Sequence, residues 1–421
     1  MDIAASHAVP AMIDDGHPSL HPVPDSQAPL HVLEVVGNDI VGGMERCVER
    51  LVAHLGREGS FRFTALCPSE GAFAERLRRA GATVVIVAMP DDPPWSAVQM
   101  VASLIAAERV DLLHAHLPNA HLLAGLAGRL SGVPVMTTIH ARQTGLSDLE
   151  LHRATGSFLS VVCRQSYYHA LGLGVERGHL SLEPNGVDVD TFRPGDRPAH
   201  GLRASLGIRP DAPLAGVVGR LSPEKGSDVF LRGAALVRQM LPEAHFVLVG
   251  EGPMRSGLRE AIERQGLASH VHLAGGVEDV RPVYHDLDLL VSSSHSEAMP
   301  LALMEGMASG LPGVATRVGG VPEIVEHGGT GWLVAPRDAE DLAGRMHQML
   351  TQPALRQRMG EQARARMVHH HRLDRQLDAL GERMRRITRP GSELEAARAT
   401  RATHATPVTH ATPSAAPARK R

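Results

Sequence analysis

The sequence predicts an α/β protein built from two doubly wound, Rossmann-like domains that face a central cleft. Three observations lead there. The chain has 421 residues, more than one hydrophobic core usually serves. Apolar runs of strand length alternate with segments of helical periodicity, the mark of a parallel sheet covered by helices. A stretch rich in Pro, Gly and charge, Phe192-Arg193-Pro194-Gly195-Asp196-Arg197-Pro198 to about residue 210, divides that alternation into two series and reads as a linker.

The first series has strand-like runs at 31–37, 61–67, 83–89, 111–116, 133–139 and 158–163. The second begins at Leu214 and continues at 245–250, 271–274, 288–294 and 313–318. In sheets of this kind functional residues gather in the loops at the carboxyl ends of strands, and several such loops carry chemistry. After the first strand come Asn38-Asp39-Ile40-Val41-Gly42-Gly43 and a helix starting near Met44, and glycines there let a backbone approach a ligand closely. The strand at 133–139 delivers His140 to the cleft edge. Strand 214–218 leads into Gly219-Arg220-Leu221-Ser222-Pro223-Glu224-Lys225-Gly226, with Ser227 as the expected cap of the next helix. Arg220 offers a planar fork and Lys225 a mobile point charge, a pair suited to a diphosphate. Gly250-Glu251-Gly252-Pro253 contributes a weaker glycine turn.

The stretch 294–312, SHSEAMPLALMEGMASGLP, reads as a loop entering a helix. Pro300 suits the first helical position, Leu301, Met304 and Ala308 recur at helical spacing, and Gly310 with Pro312 gives a stop signal. Glu297 then lies just before a helix N-terminus, where unpaired N–H groups favour anions, and Glu305 sits inside the helix. Each glutamate taken alone is an ordinary helix-start or solvated-face residue.

Composition narrows the function classes. A net charge of −3 and an aromatic content of 3% give neither a basic footprint nor a stacking platform for nucleic acid. Cys47, Cys67 and Cys163 are too few and scattered for a disulfide framework or zinc site, and each is expected to be a small buried hydrophobe. With no membrane-span-length apolar run and no signal-peptide pattern, the expected location is the cytoplasm. Arg76, Arg78 and Arg79, and Arg383, Arg385 and Arg386, read either as solvated faces or as peripheral contact with an anionic inner membrane surface. Residues 1–29 and 391–421 lack core-forming periodicity and are expected to be disordered. Their many histidines are not assigned a metal.

Taken in order, Gly219-Arg220 with Lys225-Gly226, Gly250-Glu251-Gly252-Pro253, Ser296-Glu297 with Glu305, Gly319-Gly320-Val321-Pro322-Glu323 and Gly328-Gly329-Thr330-Gly331 resemble the retaining glycosyltransferases of the large family 4, which have the GT-B fold. Gly42-Gly43-Met44-Glu45-Arg46, His114-Ala115-His116, Thr138-Ile139-His140 and Pro184-Asn185-Gly186-Val187-Asp188 extend the resemblance over residues 31–388. It implies an acceptor-side domain at 30–195, a nucleotide-sugar domain at 196–370, and a helix at 371–390 returning to the first domain. It implies that Glu305 holds the donor ribose, Glu297 lies beside the transferred sugar, and Arg220 and Lys225 neutralise the diphosphate. Gly42, Gly43, Gly219, Gly250, Met299, Pro300 and Leu301 would complete the donor site and His140 would contact the sugar near the reacting carbon. No cofactor or metal is implied.

The activity implied is transfer of a hexose-type sugar from a nucleotide diphosphate sugar, a UDP-sugar favoured and GDP-mannose the second choice, to a hydroxyl of a glycan or lipid-linked acceptor in cell-surface polysaccharide or glycoconjugate synthesis. The competing readings are a sugar-nucleotide epimerase or a phosphorylase of the same two-domain fold, the latter needing a pyridoxal phosphate lysine that does not stand out, and a nucleotide-sugar-binding protein without turnover. Ala298 departs from the family's usual Gly, and Cys163 from its frequent Ser. His116 reads equally as an acceptor-side residue or a satisfied core histidine. The acceptor choice is expected to lie in loops such as 141–157, and nothing in the sequence speaks to oligomeric state.

Overall fold

The computed structural model describes residues 28–40 and 42–389, so the expected disorder of both tails lies almost wholly outside the described residues. The first domain is a seven-stranded sheet of β1 (Leu30–Val36), β2 (Phe61–Cys67), β3 (Thr83–Ile86), β4 (Leu112–His116), β5 (Val135–Ile139), β6 (Phe158–Val161) and β7 (Leu180–Leu182), in the order β3-β2-β1-β4-β5-β6-β7. The second contains β8 (Leu214–Val218), β9 (His245–Val249), β10 (Val271–Gly275), β11 (Leu289–Ser292), β12 (Gly313–Thr316) and β13 (Gly331–Val334), ordered β10-β9-β8-β11-β12-β13. Every neighbouring pair is parallel.

Strands buried on both faces need apolar side chains on both, which is why these runs are nearly continuous rather than alternating. On β1, Val32 and Val36 pack with Val48 and Leu51 of the helix Gly43–Leu55, whereas Leu33 and Val35 pack on the opposite face with Val98, Val101 and Leu123. In each sheet the strand order reverses beside the first strand of its domain, between β1 and β4 and between β8 and β11. Ligand crevices form outside the carboxyl ends of strands at such reversals, and here the two crevices open on one cleft.

The break between the two series is not a solvated linker. Phe192, Ile208 and Ala212 are buried in the second domain's core, and Phe192 stacks edge-on against Tyr284. Arg203, 4% exposed, pairs with Asp288 at 2.7 Å and donates to the backbone carbonyls of Asp286 and Ala212. A charged sequence reads as solvated only while its partners are unknown. The edge strands β7 and β13 were not anticipated. The helix Leu373–Thr388 crosses back to the first sheet, where Leu377, Met384 and Ile387 join the cluster of Val32 and Phe61. Of the arginines singled out above, Arg76 pairs with Glu49, Arg78 with Glu70 and Glu75, Arg383 with Glu183, and Arg385 with Glu382. Among the described residues no helix is long and apolar enough to cross a membrane.

Candidate active site

The cleft between the domains holds a cavity of about 730 Å³. Gly42, Gly43, His140, Gly219, Arg220, Lys225, Gly250, Glu297, Met299, Pro300, Leu301 and Glu305 all line it, so the expected catalytic and donor-site residues come to one place, while His116 is buried behind it. The first-domain wall is the N-terminus of the helix Gly43–Leu55. Glu45 accepts from the Gly42 N–H at 2.9 Å, and a Cβ added to Gly43 would stand 3.9 Å from Leu301 Cδ1, so the backbone there meets the second domain directly.

The second-domain wall comes from the ends of β8 and β11. After β8 a tight turn, Pro223–Lys225, ends at Gly226 with φ +62°, where a Cβ would fall 2.1 Å from the Ser293 carbonyl oxygen. Only glycine fits both the left-handed backbone and the contact. Gly226, not Ser227, occupies the cap of the helix Ser227–Met240; Ser227 is its first residue, with its hydroxyl buried and making no hydrogen bond. The turn brings Lys225 Nζ to 2.6 Å from Glu297 Oε1, the oxygen that also accepts from Ser294 Oγ at 2.7 Å. Arg220, on the same loop, is exposed and forms no ion pair among the described residues.

Glu297 is held from behind. Gly319, φ +52°, presses so close to the Glu297 carbonyl that a Cβ would lie 1.6 Å from its oxygen, and Gly320 donates its N–H to the Ala298 carbonyl at 2.7 Å. The Gly319-Gly320 pair therefore clamps the loop that carries Glu297. Pro300 is the cap of the helix Leu301–Ala308 and not its first residue, because its ψ of 113° is extended. Ser309 and a left-handed Gly310 end the helix.

Glu305 lies on the buried side of that helix, 3% exposed. Arg50 of the first domain reaches across to place Nη2 2.9 Å from its Oε1, and the Tyr284 hydroxyl donates to Oε2 at 3.2 Å. Burial and the Glu305 charge push the Tyr284 pKa well above its usual value, which keeps that hydroxyl a donor. Asn185 latches the domains on the same side, its Nδ2 donating to the Met299 carbonyl at 3.1 Å. Cys47 corrects the expectation of three buried cysteines: Cys67 and Cys163 are buried, but Cys47 is half-buried on the cleft wall. Burial raises its pKa to about 11, so it stays a thiol at neutral pH. Arg50, Tyr284 and Glu34, which ties down His140 through His116, escaped the sequence reading. Glu34 could have been suspected as a carboxylate in the middle of an apolar strand.

Comparison with known proteins places this geometry. The profile of "Glycosyltransferase Family 4" matches residues 41–191, and that of "Glycosyl transferases group 1" matches residues 200–366, one profile for each domain. The chain belongs to glycosyltransferase family 4.

Over 373 residues this glycosyltransferase is 29% identical to the D-inositol 3-phosphate glycosyltransferase of Actinosynnema mirum, covering 79% of its own length and 89% of the relative's. It is 39% identical to the D-inositol 3-phosphate glycosyltransferase 2 of Catenulispora acidiphila over 201 residues, 45% of this chain and only 47% of that relative. Among solved structures it resembles a glycosyltransferase from Rickettsia africae (TM-score 0.77, 20% identity, 86% and 99% of the two chains). It also resembles Anabaena HepE, solved with UDP and glucose (TM-score 0.75, 22% identity, 84% and 98%). These likenesses fix the GT-B fold of this family 4 glycosyltransferase.

Proposed function

We propose that the protein transfers a hexose-type sugar from a nucleotide diphosphate sugar to an acceptor hydroxyl, with retention at the anomeric carbon and without a divalent ion. The observation that carries this is the convergence of Arg220, Lys225 and the Glu297 loop at the carboxyl ends of β8 and β11, with Glu305 in the same cleft. Glu305, held by Arg50 and Tyr284, keeps carboxylate lone pairs for the ribose hydroxyls. Arg220 and Lys225 stabilise the diphosphate as it leaves, the role in which preorganised charge has most effect. Glu297 and His140 lie beside the sugar, and the Gly42-Gly43 backbone approaches from the other wall.

The bond from the anomeric carbon to the donor phosphate oxygen breaks and the bond to the acceptor oxygen forms on the same face, with the acceptor proton passing to that phosphate oxygen. No side-chain nucleophile takes part. A UDP-sugar is the favoured donor, in keeping with the UDP held by the HepE neighbour. The relatives named for D-inositol 3-phosphate add a phosphorylated polyol to glycans and lipid-linked sugars as acceptor classes. The test is a screen of UDP- and GDP-sugars with the purified protein, reading nucleotide release with and without each acceptor class. Release that no acceptor accelerates, with any donor, would refute transfer.

A further inference from the structure

Behind the cleft, on the face of the first sheet covered by the helices Gly43–Leu55 and Leu373–Thr388, a line of polar side chains crosses three strands. Glu34 of β1 is registered against His114 of β4, and His116, two residues on, projects from the same face; Thr138 of β5 is registered against His116. Glu34, His114, His116 and Thr138 are all buried, Glu34 completely. A carboxylate so placed is costly unless donors satisfy it. Both oxygens are satisfied: Oε1 lies 3.0 Å from His114 Nδ1 and Oε2 lies 2.9 Å from His116 Nε2. The line continues at each end, from His114 Nε2 to Thr138 Oγ1 at 2.7 Å, and from His116 Nδ1 to His140 Nε2 at 3.0 Å.

The partners dictate where the protons sit. Burial pushes the Glu34 pKa up, but His114 and His116 bring it down to about 2, so it is ionised and can only accept. His114 Nδ1 and His116 Nε2 therefore carry hydrogens. Burial and His114 lower the His116 pKa to about 4, so at neutral pH its other nitrogen, Nδ1, is bare. The hydrogen in the last bond then belongs to His140 Nε2. Burial, His116 and His114 keep His140 neutral as well, which leaves its Nδ1 as a lone pair. His140 is the one member of the line that borders the cleft.

We propose that Glu34 and His116 are positioning residues that hold His140 as its Nε2–H tautomer, so that it meets the transferred sugar through Nδ1 as a hydrogen-bond acceptor and favours sugars that offer a hydroxyl there. The proposal rests on the reading of the cleft as a nucleotide-sugar site. A site that accepts from a hydroxyl leaves a buried polar atom unpaired when the hydroxyl is missing, and so rejects the deoxy analogue more strongly than size alone would. Glu34, His114 and His116 also have ligand atoms within 4.8 Å of one another, near enough to share a cation. The contacts are of ordinary hydrogen-bond length, so the carboxylate and the two imidazoles satisfy one another directly, and the chelator arm of the test below checks for an ion.

Long-range proton–nitrogen correlation spectra of the full chain labelled with ¹⁵N-histidine read the tautomers without substrate, the His140 signal being assigned by its loss in His140→Gln. The expected spectrum has His140 protonated at Nε2 and bare at Nδ1 near pH 7, unchanged by a chelator. The opposite tautomer, an imidazolium at His116, or a chelator-dependent spectrum overturns the proposal. In Glu34→Gln the amide can accept or donate, so both His140 tautomers should be populated and kcat should fall at least about tenfold, as when a catalytic histidine loses the carboxylate that sets its tautomer. Donor KM should move by less than about threefold. A folded Glu34→Gln protein with the wild-type His140 signal and kcat overturns the proposal. The wild-type spectrum decides the tautomer even if that variant does not fold. Absence of transfer with every donor would sink the proposed function while a matching spectrum upheld the tautomer.

Discussion

Lys225 Nζ stands 2.6 Å from Glu297 Oε1, across 72 residues of sequence, so the cation assigned to the donor diphosphate is paired with the carboxylate assigned to the donor sugar. Neither side chain is fully withdrawn from water, at 27% and 10% exposure. The pair therefore preorganises both groups without sealing them from a ligand.

If Lys225 stabilises the departing diphosphate, Lys225→Ala should lower kcat by about a hundredfold or more, the usual cost of deleting one preorganised charge. Its partial exposure predicts a thermal midpoint close to wild type. Near-normal turnover in steady-state assays would end the assignment.

The two glutamates should separate affinity from rate. Glu305→Gln keeps the shape of the side chain but weakens charge-assisted bonds, at a cost of roughly 1.5–3 kcal/mol, so donor affinity measured by calorimetry should fall about tenfold or more. Glu297→Gln should act mainly on kcat, since interactions beside the reacting carbon matter most in the transition state. Unchanged donor binding by Glu305→Gln would remove the ribose role.

Activity should survive excess chelator, because two side-chain cations are available for the diphosphate charge. Complete loss restored by Mg²⁺ would require a metal-bridged donor instead.

Acid should destabilise the first domain in two windows. His116, lowered by burial and His114 from 6.5 to about 4, resists protonation in the folded state, so from about pH 6.5 to 4 the unfolded chain binds the extra proton. Glu34, brought from 4.5 to about 2 by its histidines against the push of burial, does the same from about pH 4.5 to 2. Both contributions are fully present above about pH 6.5 and are lost on acidification. The thermal midpoint should fall between pH 7 and pH 4, and His116→Gln should flatten that fall. A midpoint independent of pH over this range would show that the buried line carries no such linkage.

The cleft was largely legible because its residues sit in loops, where Gly, Pro and charge stand out against apolar strands. Gly42, Gly219, Lys225 and Glu297 signalled themselves in this way, whereas Glu305 lies inside a helix and stood out only by its spacing from Glu297. What could not be read was pairing. Glu34 meets His114 only through the register of β1 against β4, and Arg50 meets Glu305 across 255 residues. Parallel register and domain apposition leave no local pattern. The four-residue β13 hid in a Gly-rich run that reads as a turn, and Phe192 and Arg203 hid in a stretch whose composition imitates a linker. Pro300 and Ser227 shifted by one position because helix boundaries depend on backbone angles that residue preference does not fix.

The return of the helix Leu373–Thr388 to the first sheet has a consequence for how the molecule is born. His54 and Asp378, 2.8 Å apart, are separated by 324 residues of chain, and Leu377, Met384 and Ile387 close a core begun by Val32. During synthesis the first domain must wait, with part of one sheet face covered only by the helix Gly43–Leu55 and its neighbours, until almost all of the chain described here has left the ribosome, while the second domain already has its strands in hand. The domain made first is thus the one completed last, against the usual order of vectorial folding. Contacts this distant in sequence slow the closing step, so the nascent chain passes through a period in which an apolar surface of the first domain is a target for chaperones.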